Sequence, residues 1–159
     1  GLAAAKGLAL PGHLPLVGIA TLDAVAYPFQ GCETPVWAII QAGRGRIGAA
    51  CYRQVDGVWT QILPPTLTTP AGLSQLVVAP AVVVGEISEQ DATNLRAALG
   101  TGLTVPSPAV RLRRAACLAE LASVRLERNE LDDVNTLAPI YLQTPEGHAI
   151  MPGVGDGLR

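Results

Sequence analysis

The dipeptide Asp56-Gly57, set between two apolar segments, is the feature that most restricts how this chain can fold. The tightest turn between antiparallel strands needs positive φ at both of its central residues, and Asp-Gly adopts this conformation at low cost. The flanking segments RIGAACYRQV (46–55) and VWTQIL (58–63) are therefore predicted to be two antiparallel strands joined by this turn.

A second glycine-rich stretch, GRGRIG (43–48), follows the apolar segment VWAIIQA (36–42) and has the G-x-G-x-x-G spacing of a dinucleotide-binding turn. Such a turn must lead into a helix of several turns, with an acidic residue about 20 positions further on. Fewer than ten residues separate this stretch from the Asp-Gly turn, and residues 58–77 contain no Asp or Glu. A hairpin explains the motif with fewer assumptions, and a nucleotide-binding enzyme using Gly43–Gly48 remains the lesser alternative.

The rest of the chain alternates between helical and extended patterns, which is typical of an α/β protein. Thr21, Thr69 and Ser88 are expected to cap helices, and prolines are expected to end segments at Pro11 and Pro64. The further helices are predicted over 2–10, 21–27, 69–77, 88–99 and 107–129, and the further strands over 14–20, 81–87 and 103–106. The longest helix is expected to pack through Leu112, Ala115, Ala116, Ala119 and Ala122.

Composition excludes several classes of function. Hydrophobic residues make up 49% of the chain and charged residues 15%, and the net charge of −2 does not favour direct binding to nucleic acid. The three cysteines are widely spaced and the two histidines lie near opposite ends, so neither a disulfide framework nor a metal site is predicted. The pair Asp132-Asp133 is interpreted as part of a solvated turn, and no catalytic or cofactor-binding residue is assigned.

The apolar segments are too short to span a bilayer, which needs about 18 to 20 unbroken apolar residues. Together with the reduced cysteines, this predicts a cytoplasmic protein with no membrane association. The first residues, GLAAAKGLAL, contain no methionine and have a helical pattern from the start. We therefore expect that either a tag was removed from the chain or the chain is a fragment.

Two adjoining stretches carry a resemblance to a known family. AKGLA (5–9) is followed by PLVGIATL (15–22), and the pair resembles the A-[KQ]-G-L-A and P-[LIM]-[VI]-G-V-S-T-L motifs of the TsaB (YeaZ) family, with Ala20 at the position of the family serine. Members of that family are bacterial proteins required to form threonylcarbamoyladenosine in tRNA.

The resemblance continues through the chain to about Gln143. Residues 40–48 align with the family pattern I-D-A-R-x-G-E-V-Y, although its charged and tyrosine positions are Gln41, Gly43, Arg46 and Gly48 here. VVVGEI (82–87) resembles the V-x-V-G-x-G strand without its second glycine, and LAPIYLQ (137–143) resembles the closing P-x-Y-L-R.

The resemblance implies an actin-like ATPase fold made of two RNase H-like lobes, with the first strands of the N-terminal lobe missing. Residues 1–31 would be the helix–strand–helix remnant of that lobe. Residues 32–130 would form the C-terminal lobe, and 131–159 a tail whose LAPIYLQ portion folds back.

The resemblance also implies a role in tRNA modification without catalysis by this chain. The expected partners are a TsaD-type catalytic subunit and a TsaE-type ATPase, with a homodimer as a further possibility and tRNA contacted only indirectly. Small residues on the two N-terminal helices would let a partner helix approach closely. The residues predicted to form this interface are Ala3, Ala4, Lys6, Gly7, Leu10, Leu22, Val25 and Ala26.

Some relatives carry an inherited glycoprotease label. A glycoprotease-like metallohydrolase is therefore the alternative function. The sequence has no H-x-x-x-H motif of the kind that such a metal site requires.

Overall fold

The computed structural model describes residues 1–142 as one sheet flanked by helices. The two 3₁₀ turns are Tyr27–Phe29 and Gly100–Gly102. The α-helices are α1 (Leu2–Gly12), α2 (Thr21–Ala26), α3 (Pro70–Leu76), α4 (Glu89–Leu99) and α5 (Ala115–Glu127). The strands are β1 (Val36–Gly43), β2 (Arg46–Val55), β3 (Val58–Thr68), β4 (Ala81–Gly85) and β5 (Leu103–Thr104).

The sheet has the strand order β3-β2-β1-β4-β5. Strands β1, β2 and β3 form an antiparallel meander, while β4 pairs parallel to β1 and β5 pairs parallel to β4. Helix α3 lies between β3 and β4 in the chain, and helix α4 connects the parallel neighbours β4 and β5. The predicted α/β class is confirmed.

Both predicted hairpins are present. Arg44 and Gly45 have φ values of 53° and 70° at the β1–β2 turn, and Asp56 and Gly57 have φ values of 51° and 77° at the β2–β3 turn. Positive φ at both central positions gives the turn a twist that matches that of the strands. GRGRIG is therefore a hairpin and its third glycine, Gly48, lies within β2.

Strand β3 is longer than predicted, because it continues through Pro64 and Pro65 to Thr68. A proline cannot donate a backbone hydrogen bond, but β3 is an edge strand, so the outward-facing positions need no partner strand. The expectation that the two prolines end the strand was wrong because sequence does not show which strand lies at the edge.

The sheet is buried on both faces. One face packs with α3 and α4 around Ile39, Leu73, Val83 and Leu95. The other face packs with α2, and its buried members include Val36. Alternate residues of β1 therefore enter opposite cores, which explains why the central strands read as continuous apolar runs.

Helix caps follow the sequence in the second half of the chain. The Thr69 hydroxyl accepts a bond from the backbone N–H of Gly72 at 3.0 Å, and the Ser88 hydroxyl accepts one from Asp91 N–H at 3.0 Å. Thr21 does not cap α2, because Ala20 occupies the N-cap position and Thr21 is already helical.

Helix α1 extends two residues beyond its predicted end. Pro11 is the penultimate residue of the helix, where it removes only one backbone bond near the terminus, and His13 ends the helix with a left-handed φ of 48°. Leu14 N–H then bonds to the Ala9 carbonyl at 3.0 Å.

The last helix is shorter than predicted, because residues 107–114 form turns and α5 begins only at Ala115. In this stretch Arg111 turns inward, is 7% exposed, and pairs with Glu89 at 2.6 Å. The predicted apolar face was also wrong, since Cys117 is the buried residue of α5 while Leu112 is 63% exposed.

Residues 14–20 were predicted to be a strand but have no strand partner in the described chain. The segment has no regular secondary structure, and its polar backbone groups at Leu16 and Gly18 are bonded to residues beyond α5 and within it. The predicted strand was wrong, because strand pairing depends on a neighbour that local sequence does not reveal.

Gly85 is the glycine whose replacement the fold tolerates least. It has φ +97°, and an added Cβ would run into the backbone carbonyl of Ile39 in the neighbouring strand. We expect Gly85→Ala to lower the free energy of unfolding by at least about 2 kcal/mol, from strain and overpacking together.

The matched control is Gly57→Ala, because Gly57 has φ +77° in the β2–β3 turn but open space around the added methyl group. It is expected to cost about 1 kcal/mol in denaturant titration, from backbone strain alone. Equal losses for the two variants would contradict the steric argument.

Candidate functional site

Helix α1 divides into an inner and an outer face. Its inner residues are Leu2, Ala5, Lys6 and Ala9, which share helical spacing and are partly or fully buried, with Ala9 5% exposed. The outer residues, which are exposed and which we call the candidate docking face, are Ala3, Ala4, Gly7, Leu8 and Leu10.

The candidate docking face is unusually apolar for an exposed helix surface. Leu8 is 73% exposed and Leu10 is 49% exposed, and Leu14 just beyond the helix is 58% exposed. An isolated helix of this length is marginal in water, and most of its stability must come from packing an apolar face. The small residues beside these leucines leave room for the backbone of a partner helix.

Four of the residues predicted for the interface therefore lie together on one surface: Ala3, Ala4, Gly7 and Leu10. Lys6 is on the inner face and its ammonium donates to the Asn135 carbonyl at 3.3 Å. Leu8 was missed, although it lies one helical turn after Ala4 and could have been found from that spacing.

The other three predicted interface residues, on α2, occupy a different place. Leu22, Val25 and Ala26 are 3%, 3% and 0% exposed and pack against Val36 and other sheet residues. Their side chains form the core of this chain and leave no side-chain surface for a partner. Among the residues named from sequence, only those on α1 remain candidates for an interface, and that role stays a prediction.

The segment that joins α1 to α2 is held by an ion pair. Gly18 N–H donates to Asp132 Oδ2 at 2.7 Å, and Arg125 Nη1 donates to the Gly18 carbonyl at 2.8 Å. Arg125 and Asp132 also bond to each other, with Nη1 and Oδ2 3.2 Å apart. Because of the Gly18 N–H bond, and then the Arg125 guanidinium, the pKa of Asp132 is lowered from its ordinary value.

Residues 130–142, which we call the C-terminal strap, make further contacts with this part of the molecule. Asp132 N–H donates to the Leu16 carbonyl at 3.0 Å. Leu137 lies against Gly18, and Leu142 lies directly over Gly48, in the space where a Cβ would be. The expected folding back of the tail is confirmed up to Leu142; the rest of LAPIYLQ and the final glycine-rich run lie outside the described residues.

Sequence reasoning did not find the ion pair. Asp132 was interpreted as part of a solvated turn and Arg125 was not singled out. These residues are 114 and 107 positions away from Gly18 in sequence, so no local spacing could have linked them.

A buried tyrosine joins α2 to the sheet. Tyr52 is 3% exposed, and its hydroxyl donates to Asp23 Oδ1 at 2.6 Å and accepts from Gln61 Nε2 at 2.9 Å. The ring stacks on Trp59, with centroids 5.9 Å apart. Burial, followed by the neighbouring Asp23, raises the pKa of Tyr52, so the phenol stays neutral and has a structural role.

A cleft of about 550 Å³ lies beside α3 and α4 and includes Gly45 of the GRGRIG hairpin. Its polar side chains are already engaged in local bonds. Thr69 caps α3, Ser74 donates to the Ala71 carbonyl, and Asp91 accepts from the Ser88 hydroxyl. This cleft therefore offers little to a dinucleotide, and the strand that follows the glycines provides no helix N-terminus for a pyrophosphate.

Groups that could carry metal or thiol chemistry are sparse. In residues 1–142, no three His, Cys, Asp or Glu side chains are grouped closely enough to hold a metal ion. Cys51 and Cys117 are buried, and burial raises the pKa of the Cys51 thiol to about 11, which makes it a poor nucleophile. Within the same residues, no helix has the length and apolarity to cross a membrane.

The strand order and the helices on both faces define the class of this protein as an α/β protein of the RNase H-like, actin-like ATPase fold. Solved structures support this assignment. A protein from Pseudomonas aeruginosa described as uncharacterized and similar to peptidase YEAZ matches with a TM-score of 0.65 and 19% identity, over 89% of this chain and 65% of that one. YeaZ from Pseudomonas aeruginosa matches with a TM-score of 0.64 and 19% identity, over 88% of this chain and 64% of that one.

The family model described as TsaD, tRNA N6-adenosine threonylcarbamoyltransferase, matches residues 1–104, so this chain belongs to that family. The predicted TsaB (YeaZ) resemblance is confirmed by the family model and the fold. The chain spans 65% and 64% of the two matching structures. No curated protein is significantly similar to it in sequence.

The Asp132 ion pair predicts a specific response to acid. The pKa of Asp132 is lowered by folding from its ordinary value of 3.8, so its stabilising effect is complete above that value and is lost as the pH falls through the lower, folded-state pKa. We expect the stability difference between the native chain and Asp132→Asn to be constant from about pH 7 to 5 and to shrink below about pH 4.

The measurement is denaturant unfolding at a series of pH values. Asp133→Asn is the control, because that carboxylate bonds to Asn135 rather than to Gly18. A difference for Asp132→Asn that persisted unchanged to pH 2 would contradict the assignment.

Proposed function

We propose that this chain is a non-catalytic partner subunit in the formation of threonylcarbamoyladenosine in tRNA. Its partner is a TsaD-type catalytic subunit, with a TsaE-type ATPase assisting, and it contacts tRNA only through that assembly. The chain would act in the cytoplasm, and its contribution is protein–protein interaction through α1.

The observation that carries the proposal is the candidate docking face. It presents Leu8 and Leu10 to solvent beside small residues, at 73% and 49% exposure. Fully burying a leucine side chain stabilises an assembly by about 1.5–3 kcal/mol, so these two residues can supply much of the apolar centre of an interface. Net charge is only −2, which is consistent with an apolar protein surface as the target rather than the phosphate backbone of tRNA.

The non-catalytic role rests on the chemistry of the described side chains. The two strongest pKa shifts belong to Tyr52 and Cys51, both buried and both held in the neutral form. Neither is poised to exchange a proton near neutral pH. The partner would therefore supply the transferase chemistry described for the family.

Association with a TsaD-type subunit is tested by titrating that subunit with this chain in isothermal calorimetry. We expect Leu10→Glu to weaken binding at least tenfold, because a carboxylate would be buried without a partner at the interface. Leu118→Glu is the matched control, since Leu118 is 47% exposed on α5 and therefore experiences the same change on a different helix. It should bind like the native chain.

Three outcomes would count against the proposal. Failure of the native chain to bind would remove the partner, and equal weakening by both variants would remove α1 as the contact. Threonylcarbamoyl transfer to tRNA by this chain alone would contradict the non-catalytic role. If the native chain sediments as a dimer that Leu10→Glu dissociates, the same face would instead join two copies.

A further inference from the structure

We propose that Arg125 and Asp132 are positioning residues that hold the docking helix α1 in its place. The inference rests on the proposed docking role of α1. The contact they make with Gly18 lies in the segment between α1 and α2, so it fixes the C-terminal end of α1 relative to the sheet. Neither residue belongs to the candidate docking face.

Helix α1 lies outside the two cores of the sheet. Ala9 is its only buried residue, and it is absent from the two clusters of buried residues that cover the sheet. Helix α2, in contrast, contributes Leu22, Val25 and Ala26 to one of those clusters. The position of α1 must therefore be set by contacts of α1 itself or of residues 14–20.

The ion pair supplies the backbone partners that regular secondary structure would otherwise provide at Gly18. Polar backbone groups removed from water need hydrogen-bond partners. At Gly18 the Asp132 carboxylate accepts the N–H at 2.7 Å and the Arg125 guanidinium donates to the carbonyl at 2.8 Å. Two side chains thus satisfy both backbone groups of one residue, and their charges hold them together.

The Arg125 and Asp132 side chains are themselves held in place by neighbouring contacts. Arg125 lies in the last turn of α5 and its Nε is 3.6 Å from Glu130. The backbone of Glu130 bonds to the Arg125 carbonyl at 2.9 Å, so the chain turns back directly after α5. Arg125 and Asp132 side chains are 31% and 28% exposed, which limits screening of the pair by solvent.

The same strap makes further contacts with this region. Lys6 bonds to the Asn135 carbonyl, and Asp132 N–H bonds to the Leu16 carbonyl. Gly18 also lies against Leu137, where an added Cβ would come within 3.0 Å of its Cδ1. Loss of the ion pair would therefore loosen the strap and α1 together while leaving the sheet intact.

The test is amide hydrogen exchange on the whole chain, comparing residues 2–20 with strand β1. In Asp132→Ala, exchange in residues 2–20 should become about tenfold faster while exchange in β1 changes little, because the lost bonds are local. Asp132→Asn keeps an oxygen acceptor for Gly18 N–H and should give an intermediate rate. Glu127→Ala, which removes an exposed carboxylate from α5, should match the native chain.

Unchanged exchange in residues 2–20 of Asp132→Ala would overturn the positioning role. So would an equal increase in residues 2–20 and in β1, since that would indicate global destabilisation. Affinity for the TsaD-type subunit is measured in parallel and should fall with the loosening. If α1 loosens and affinity does not change, the positioning role stands and the docking role of α1 fails.

Discussion

The two-sided burial of β1 is the constraint on which the rest of the structure depends. Val36 and Ala38 enter the core shared with α2, while Trp37 and Ile39 enter the core shared with α3 and α4. A strand buried on both faces must have its backbone groups paired on both edges, and β1 is paired to β2 on one side and β4 on the other. The other strands continue these edges, and α2, α3 and α4 cover these faces.

Helix α1 is less strongly held than the sheet. It has no share in either core, and the segment after it is held by side chains rather than by a strand. Regions with few buried apolar contacts open more easily than the core. A protein that exposes an apolar helix in such a region keeps its sheet independent of whatever binds the helix, which suits the docking role proposed for α1.

Much of the fold was predictable because its signals are local. The Asp-Gly and Arg-Gly turns need positive φ, Thr69 and Ser88 cap helices by bonds within three residues, and the apolar runs of β1 and β4 are long enough to predict buried strands. The inner face of α1 also follows directly from helical spacing. Its outer face could then be inferred as the exposed remainder, and four of its five residues were predicted.

The failures concern partners that are distant in sequence. Burial of α2 side chains depends on which face of the sheet they cover, and small residues such as Ala26 suit a core as well as an interface. Residues 107–114 have a helical pattern, but the pairing of Arg111 with Glu89, 22 positions earlier, accompanies a turn there.

The sequence by itself determined the hairpins, the strand and helix content of residues 36–104 and the family to which the chain belongs, because turn chemistry, capping and periodicity act over a few residues. Only the tertiary structure decided that β3 is an edge that tolerates prolines, that α2 is core, and that Arg125 and Asp132 hold Gly18. Those outcomes depend on which surfaces pack together. Contacts between residues more than 100 positions apart cannot be predicted from local sequence patterns.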